Sequence, residues 1–492
     1  MKILDMEKFG GEVTIGATVA TGFEFTAVDE ITKKIDVVDY DITQGKVFFT
    51  ATSECFAKIH QLRSVDKLFL VVKRYENYVY DVTKEVELER IGSVAFELPW
   101  EQVEKYWNEN RPFCIKMNKF QKQKLRERKK KRRQLNLDGC GGGDEEDSDL
   151  EVWEKSTDVN FRVTCNRVGK KQSVTSPEAE YKFGGNVQDA TGWNVNLSCY
   201  NLEVLLEIGL DSLMVALSLT PFSLHHRNIE YFGRTTLRST IAYNMLMLCK
   251  LKVGEVVVDP MCGTGSIPLE GAMEWKGCLH VGGDNSGAAM ERVSGNVGVN
   301  NGGLGVNLEK GDNLGVSQVK RDSFEVNENG NRNLEINTEK ISEEKLKYPV
   351  EVIRWDATRL PWRDSTIDVC VTDLPFGKRM GSQHDNRVLY PRFLHELARV
   401  SKVGTSRACL LTYDRRSALN AFSKLNKLWS LKRTVNVNIG GLRAAVYLLG
   451  RTKHKFVVGE DFNLEEKKKK FQKNETKNKK ISEEFKKLDI SI

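Results

Sequence analysis

The stretch "VVVDPMCGTGSIPLEGA", residues 256–272, decides the fold of this chain. An apolar run ends on Asp259, and a turn with Gly263 and Gly265 leads into a segment of helical character. Glycines let the backbone approach a ligand closely, and the first turn of a helix presents free N–H groups. The stretch therefore predicts a buried strand, a ligand-binding turn and a helix, which together form the repeating unit of an α/β sheet.

This turn suits one class of ligand. The third glycine of a dinucleotide fingerprint would fall on Pro268, and the GK[ST] of a Walker loop does not follow. A nucleoside with an amine and a carboxylate but no phosphate fits better. We expect Asp259 to hold the amine, and the backbone of Gly263 and Gly265 to hold the ribose and the carboxylate. The alternative is a strand-to-helix turn that binds no ligand.

Aspartates also end the next apolar runs, which are "LHVGGD" at Asp284, "VEVIRWD" at Asp356 and "IDVCVTD" at Asp373. The carboxyl ends of parallel strands meet at one edge of a sheet, where ligands bind. We expect Asp284 to accept hydrogen bonds from ribose hydroxyls and Asp356 to accept one from an adenine amino group. A single strand-end aspartate is more often a helix cap than a ligand, but four in succession favour a ligand site.

The tetrapeptide "DLPF", residues 373–376, predicts a nucleobase site. The exocyclic amine of guanine or adenine is a poor nucleophile because its lone pair is delocalised into the ring. Hydrogen bonds to the Asp373 carboxylate and the Leu374 carbonyl localise that lone pair, Pro375 holds Leu374 extended, and Phe376 stacks on the base. Methyl transfer from a sulfonium donor then needs positioning and no metal. The alternative is a plain strand end with Phe376 in the core.

Alternating strands and helices continue along the C-terminal part of the chain. A helix is expected near residues 390–400, and Thr235 is expected to cap an earlier helix. The closing stretch "TVNVNIGGLRAAVYLLGR", residues 434–451, predicts a hairpin that turns at Gly440 and Gly441. Short apolar strands separated by helices predict a parallel sheet covered on both faces, which here ends in an antiparallel pair.

Composition divides the chain into patterned and charged segments. Residues 11–107 and 158–220 each mix short strands with helical stretches, in the order typical of small α+β domains. Charged or low-complexity stretches cannot bury apolar surface and are predicted to be disordered. The predicted division is an N-terminal α+β domain at 1–115, a charged linker at 116–157, a second α+β module at 158–221, a parallel-sheet domain at 222–457 with a disordered insertion at 300–347, and a charged tail at 458–492.

Charge and cysteine content limit the partners and the compartment. The net charge of +7 is modest for 492 residues, so contact with nucleic acid must be local. Lys378 and Arg379 are candidates to hold an RNA phosphate, with solvated surface as the alternative. The basic block at 122–133 is predicted to be solvated linker, with RNA binding or a nuclear address as alternatives. Ten scattered cysteines without a CxxC pair predict reduced thiols and no metal site. Without a signal peptide or a membrane-length apolar run, we expect a soluble, intracellular protein.

The stretches "DPMCGTGSIPLEGA", "TDLPFGKRMGS" and "GGLRAAVYLLGR" together resemble the THUMP-domain tRNA guanine-N2-methyltransferases. The resemblance covers residues 158–451, and residues 161–220 resemble the THUMP module itself. It implies a Rossmann-like class I methyltransferase domain preceded by an N-terminal ferredoxin-like domain and a THUMP domain. It also implies that S-adenosylmethionine is the cofactor, that the N-terminal domains grip the acceptor end of tRNA, and that the guanosine at position 6 is methylated.

The resemblance also implies residue roles and a partner. The family's cofactor motif falls on Asp259, Gly263 and Gly265, its ribose-binding acid on Asp284, and its [DN]PP[FY]-type catalytic tetrad on residues 373–376. Many relatives have a first proline where this chain has Leu374; because the position acts through its carbonyl, the change costs rigidity more than chemistry. A small zinc-ribbon activator subunit is implied as a heterodimer partner. Two alternatives remain: methylation of another RNA or DNA amine, and a non-catalytic THUMP scaffold that binds RNA.

Overall fold

The computed structural model describes residues 11–113, 158–169, 172–197, 200–301, 348–377 and 383–457. The predicted linker, nearly all of the predicted insertion and the predicted tail lie outside these ranges. The strands are β1 Glu12–Thr18, β2 Asp39–Thr43, β3 Lys46–Thr52, β4 Lys67–Glu76, β5 Asn160–Arg167, β6 Asn194–Val195, β7 Leu202–Ile208, β8 Ser212–Ser218, β9 Val256–Asp259, β10 Leu279–Asp284, β11 Val350–Arg354, β12 Val369–Asp373, β13 Arg407–Thr412, β14 Trp429–Ile439 and β15 Leu442–Arg451.

The α-helices are α1 Glu24–Lys34, α2 Phe56–Ile59, α3 Lys84–Ser93, α4 Trp100–Asn110, α5 Ser176–Thr191, α6 Ser239–Cys249, α7 Ser266–Glu274, α8 Gly287–Asn300, α9 Gln383–Val400 and α10 Arg415–Lys424. None of the helices in the described ranges combines the length and the apolarity that a membrane span requires.

A mixed sheet of eight strands, ordered β2-β3-β1-β4-β8-β7-β5-β6, contains strands from both sides of the predicted linker. The junction is the antiparallel pairing of β4 with β8, which runs from Phe69 opposite Ser218 to Glu76 opposite Ser212. The two segments predicted as separate domains, 1–115 and 158–221, therefore contribute to one continuous sheet, and the boundary between them stays a prediction. Alternating apolar residues form this sheet because one face packs on the helices, as in β1, where Val13 and Ile15 are buried.

The second sheet has seven strands in the order β11-β10-β9-β12-β13-β15-β14. The first five strands pair in parallel, and β15 pairs antiparallel with both β13 and β14. Gly440 and Gly441 turn the final hairpin with φ of 57° and 86°, a backbone conformation that favours glycine. This topology is the Rossmann-like class I arrangement, and it confirms the predicted parallel sheet that ends in an antiparallel pair.

The two sheets are held together by buried polar contacts as well as by apolar packing. Arg63 pairs with Glu270 of α7 at 2.7 Å, and the two side chains are 17% and 1% exposed. Asn244 of α6 donates to the Ser64 carbonyl at 2.9 Å, and the Thr240 hydroxyl donates to Asp66 at 2.6 Å. Helices α6 and α7, the second of which follows the glycine turn, thus connect the first sheet to the second.

Two local predictions were wrong. Helix α6 begins at Ser239 with Arg238 at its N-cap, so Thr235 does not cap it. The hydroxyl of the next residue, Thr236, accepts a hydrogen bond of 2.8 Å from the Gly233 N–H and holds this segment as a turn. Strand β11 ends at Arg354, so Asp356 lies two residues beyond the strand rather than at its end.

Candidate active site

The glycine turn joins β9 to α7 and leaves an open space above it. The Met261 N–H donates to Asp259 at 3.2 Å, which closes the first step of the turn. Gly263 has φ of 55°, and a Cβ placed on it would meet no atom within 4 Å. Gly265 has φ of 85°, and its Cβ would stand 2.4 Å from Val293 of α8. Gly265 is therefore required for close packing, whereas Gly263 borders space that a ligand can enter.

Asp284 connects the end of β10 to this turn. One oxygen of its carboxylate accepts from the Gly263 N–H at 3.1 Å, and the other accepts from the Ser286 N–H at 2.9 Å. The side chain is half-buried. The structure thus brings Asp284 and Gly263 together, as the prediction of a shared ribose site requires.

Asp373 ends β12, which lies next to β9 in the sheet. Its Oδ1 atom is buried and has no hydrogen-bond partner among the described residues. Burial raises the pKa of Asp373 well above its ordinary value, and the neighbouring carboxyl of Asp259 raises it further. An unpaired buried carboxyl oxygen at the carboxyl edge of a sheet indicates a binding or catalytic role.

Asp259 is the second acid of this pair and is 3% exposed. Burial raises the pKa of Asp259 to about 7, and repulsion from Asp284 acts in the same direction. A positive charge placed beside Asp259 and Asp373 would favour the ionised form of both carboxyls. The cofactor S-adenosylmethionine fits these residues, because it carries a cationic amine and a sulfonium, and the space at Gly263 is open.

The loop at residues 373–376 is fixed at each step. The Leu374 N–H donates to the Leu411 carbonyl at 2.9 Å, which extends the pairing of β12 with β13, and its side chain is 2% exposed. The Pro375 carbonyl accepts from Asn386 at 2.9 Å and from the Tyr390 hydroxyl at 2.6 Å. Both donors lie on α9, so this helix sets the position of the loop.

Phe376, the last residue of the loop, is half-buried. Its ring centroid lies 6.5 Å from that of Tyr413, and the two rings are tilted by 36°. Tyr413 follows β13 and was not predicted as a site residue. The two rings together offer more aromatic surface to a planar group than Phe376 alone.

One predicted site residue, Asp356, has no hydrogen bond to this cluster among the described residues. Asp356 is exposed, and its Oδ1 accepts from both the N–H and the hydroxyl of Thr358 at 2.8 Å, which closes a local turn. Among the described residues, no hydrogen bond joins Asp356 to the glycine turn, so its contact with adenine stays a prediction. Lys378 and Arg379 lie outside the described residues, and their contact with RNA stays a prediction too.

Trp355 supports the glycine turn and was missed in the sequence. Its indole N–H donates to the Pro260 carbonyl at 3.1 Å, and a Cβ on Gly283 would stand 2.0 Å from the indole ring. The paired glycines of "VGGD" were the available signal, because glycine in a strand marks the close approach of another group.

Asn296 of α8 also supports the turn. It is fully buried, and its amide donates to the carbonyls of Thr264 at 2.9 Å and Tyr231 at 3.1 Å. Its oxygen accepts from the N–H groups of Glu230 and Tyr231, both at 2.9 Å. Nothing in the sequence pattern distinguishes this asparagine from others, because its partners are distant in the chain.

A family model described as UPF0020, RMKL-like, methyltransferase domain, matches residues 227–445. These residues include the glycine turn, the tetrapeptide at 373–376 and most of the final hairpin. A Bos taurus protein named tRNA (guanine(6)-N(2))-methyltransferase THUMP3 is 38% identical over 91% of this chain and 90% of its own length. The chain belongs to the THUMP-domain tRNA guanine-N2-methyltransferase family. The Rossmann-like sheet that carries Asp259 and Asp373 is the methyltransferase domain of this family member.

Two further similarities extend this finding. A second Bos taurus protein, named U6 snRNA (guanine-N(2))-methyltransferase THUMPD2, is 24% identical over 81% of this chain and 78% of its own length. The crystal structure of TrmN from Thermus thermophilus covers 89% of this chain and 99% of its own length, with a TM-score of 0.60 and 19% identity. That structural match extends over both sheets, and at this identity it supports the fold.

Proposed function

We propose that this chain transfers a methyl group from S-adenosylmethionine to the exocyclic N2 of the guanosine at position 6 in the acceptor stem of tRNA. One observation carries the proposal: the unpaired Oδ1 of Asp373 lies beside Asp259, on a loop that α9 holds in place. Relatives named as guanine-N2-methyltransferases of tRNA support the choice of base and position.

The carboxyl edge of β9 and β10 would hold the cofactor. Asp259 pairs with the amine, and the backbone at Gly263 and Gly265 lies against the ribose and the carboxylate. Asp284 accepts from the ribose hydroxyls, and Asp356 accepts from the adenine amino group. S-adenosylmethionine, when bound, supplies an electrophilic methyl group on a sulfonium.

The loop at 373–376 would prepare the nucleophile. The Asp373 carboxylate and the Leu374 carbonyl accept the two N–H groups of the guanine amine, which localises its lone pair and directs it at the methyl group. Pro375 keeps Leu374 extended, and Phe376 stacks on the base, worth about 1–3 kcal/mol. The methylated amine must lose one proton, and Asp373 is suited to accept it because burial raises its pKa.

The eight-stranded sheet would place the RNA. We propose that the ferredoxin-like segment at 1–115 and the THUMP segment at 158–221 grip the tRNA acceptor end as one body, because β4 and β8 join them. Lys378 and Arg379 would hold a phosphate next to the target base. The buried pair of Arg63 and Glu270 keeps this body attached to the methyltransferase domain.

A small zinc-ribbon activator subunit is proposed as the heterodimer partner, on the ground of family membership. Co-purification of the two chains, with an increase in methyl transfer over the chain alone, is the test. We also propose that the protein acts in the cytoplasm, with the nucleus as the alternative. The ten cysteines are scattered without a CxxC pair, and this pattern supports a reducing compartment.

The deciding experiment uses the full chain, with and without the activator, and transcribed tRNA that carries guanosine at position 6. Nucleoside mass spectrometry is expected to detect N2-methylguanosine, and a tRNA with adenosine at position 6 is the matched control. Loss of N2-methylguanosine from the tRNA of cells that lack the protein is the cellular counterpart. Binding of tRNA without any methyl transfer would instead support the scaffold alternative.

A second candidate substrate is U6 snRNA, which the name of the 24% identical relative suggests. The loop at 373–376 accepts any planar exocyclic amine, so the methyltransferase domain does not choose between the two RNAs. Parallel assays with both RNAs at equal concentration separate them. Faster methylation of U6 snRNA than of tRNA would show that U6 snRNA is the preferred substrate.

A further inference from the structure

Four arginines line a cavity of about 410 Å³ at the edge of the methyltransferase domain. They come from three elements: Arg387 from α9, Arg415 and Arg416 from the first turn of α10, and Arg443 from β15. None of them was singled out in the sequence, because they lie far apart along the chain. Four positive charges around one concave site raise the local positive potential, which attracts an anion.

The described residues do not form ion pairs with the arginines of this cavity. Among the described residues, none of these four arginines forms an ion pair, whereas Arg399 and Arg407 of the same domain pair with glutamates at 2.6 Å and 2.7 Å. Asp414 is the carboxylate in the cavity wall, and it is 6% exposed. Its two oxygens accept hydrogen bonds from the Ser417 N–H and from the Asn386 amide, both at 3.1 Å. Both oxygens of Asp414 therefore already have partners within the fold.

The cavity lies next to the loop that we propose to hold the target base. Tyr413 belongs to the cavity wall, and its ring is 6.5 Å from that of Phe376. Arg387 directly follows Asn386, which donates to the Pro375 carbonyl. The cavity and the proposed base site therefore share Tyr413 as a neighbour.

The chemistry of the cavity fits a phosphodiester. Guanidinium groups bind phosphate oxygens through paired hydrogen bonds, and the N-terminus of α10 adds a favourable dipole. A base that leaves its stack to reach Phe376 carries its own sugar and phosphate with it, so a phosphate must lie near the base. Exposed arginines are commonly solvated surface, but these four share one concavity beside the proposed active site.

We propose that this arginine cavity binds a backbone phosphate of the substrate RNA next to the target guanosine, an inference that rests on the proposed function. Arg415 and Arg416 hold the phosphate at the start of α10, and Arg387 and Arg443 close the cavity from either side. The cavity thus fixes the strand while Asp373 and Phe376 act on the base.

The test compares RNA binding by the full chain and by the double variant Arg415→Gln/Arg416→Gln, over a range of salt concentrations. Loss of two phosphate contacts is expected to raise the Kd for tRNA about tenfold or more at physiological salt. The slope of log Kd against log salt should become shallower by about 1 to 2. The Kd for S-adenosylmethionine should not change, and Arg415→Lys/Arg416→Lys should restore the salt slope because it keeps the charge.

A matched control removes two charges from the opposite end of the same sheet. Arg363 and Lys453 are exposed, and they lie at the end where β12 and β13 begin. Arg363→Gln/Lys453→Gln is expected to leave the Kd for tRNA and the salt slope at their original values. Thermal unfolding of every variant shows whether the fold is retained.

The outcomes separate this inference from the proposed function, because binding is measured without methyl transfer. An unchanged Kd and salt slope in Arg415→Gln/Arg416→Gln would overturn the inference, even if the chain methylates tRNA. Weaker RNA binding in that variant would support the inference, even if the chain transfers no methyl group. If inorganic phosphate raises the Tm of the original chain but not of the variant, while both bind RNA equally, the cavity holds a small anion and the inference is wrong.

Discussion

The Tyr390 hydroxyl donates a hydrogen bond of 2.6 Å to the Pro375 carbonyl, which fixes the proposed catalytic loop on helix α9. Tyr390 is fully buried, and its oxygen also lies 2.8 Å from the Thr412 hydroxyl at the end of β13. The loop that follows Asp373 is therefore positioned by a side chain of α9 that also contacts the end of β13.

Tyr390→Phe is expected to lower kcat by about threefold to tenfold, since one hydrogen bond of about 0.5–1.5 kcal/mol is lost from the loop. The Kd for S-adenosylmethionine, measured by calorimetry, should not change. Tyr447→Phe is the matched control, because the Tyr447 hydroxyl is buried and has no hydrogen-bond partner among the described residues. An equal fall in kcat in both variants would show that the hydrogen bond to Pro375 is not the cause.

The two glycines of the turn should respond differently to alanine. Gly265→Ala places a Cβ 2.4 Å from Val293 at φ of 85°, so it should lower the free energy of unfolding by about 2 kcal/mol or more. In Gly263→Ala the new Cβ meets no atom within 4 Å. The variant should therefore lower the free energy of unfolding by only about 1–2 kcal/mol, which is the cost of holding alanine at a φ of 55°.

Cofactor affinity gives the second readout for this pair. Gly263→Ala should weaken binding of S-adenosylmethionine about tenfold or more, because its Cβ enters the proposed ribose space. Urea unfolding and calorimetry measure the two quantities. Full cofactor affinity in a folded Gly263→Ala variant would show that the space above Gly263 is not the binding site.

Affinity for S-adenosylmethionine should rise with pH. Burial raises the pKa of Asp259 to about 7, and the cationic amine of the cofactor binds the ionised form. The Kd should fall by about tenfold per pH unit below pH 7 and level off above it. Asp284 and Asp373 also lie near this space, so the pH dependence of the Kd is compared between the original chain and Asp259→Asn. The part of the pH dependence that comes from Asp259 should be absent in Asp259→Asn.

Stability without the cofactor should show the opposite pH dependence. The folded pKa of Asp259 is about 7 against an ordinary value of 3.8, so the folded state binds more protons between these values. Its contribution to stability is therefore fully present below pH 3.8 and lost as the pH rises through 7. Asp259→Asn should remove this loss of stability at higher pH. Equal pH profiles of Tm for the original chain and Asp259→Asn would contradict the raised pKa of Asp259.

Removing only one partner of the Arg63–Glu270 pair should lower the free energy of unfolding more than removing both. Arg63→Met removes the ion-pair partner of the buried Glu270 carboxylate and should cost about 3–5 kcal/mol of unfolding free energy. Glu270 keeps its hydrogen bond from Asn228, and the buried Arg227 lies close enough to interact with it. Arg63→Met/Glu270→Met should recover much of that cost, because both charges of the pair are removed together. Urea unfolding of the single and double variants measures the coupling, and additive effects would show that the two side chains act independently.

The sequence predicted the features that depend on local pattern. Asp259, Asp284 and Asp373 end their strands as predicted, because an apolar run that stops on an acid marks the edge of a buried sheet. Asp356 does not end its strand, because the strand stops at Arg354 and the Trp355 indole turns to donate to the Pro260 carbonyl. For Leu374 the sequence implied a loss of rigidity, but its N–H donates to the Leu411 carbonyl, a bond that proline cannot make.

Contacts between distant segments could not be predicted. The pairing of β4 with β8 joins residues on both sides of a long charged stretch, and no periodicity in either segment indicates that partner. The arginine cavity depends in the same way on the meeting of α9, α10 and β15. These features follow from the tertiary arrangement, in which side chains far apart in the chain share one site.

The role of Asp373 is the central claim, and single-turnover methyl transfer to tRNA by Asp373→Ala tests it most directly. The rate should fall by about 10²–10⁴-fold, because the guanine amine loses the hydrogen-bond acceptor that orients it and the group that accepts its proton. Binding of S-adenosylmethionine should persist, and the Tm should not fall, because ionisation of this buried carboxyl destabilises the fold. Methyl transfer at the original rate, or loss of cofactor binding in step with loss of activity, would contradict the account.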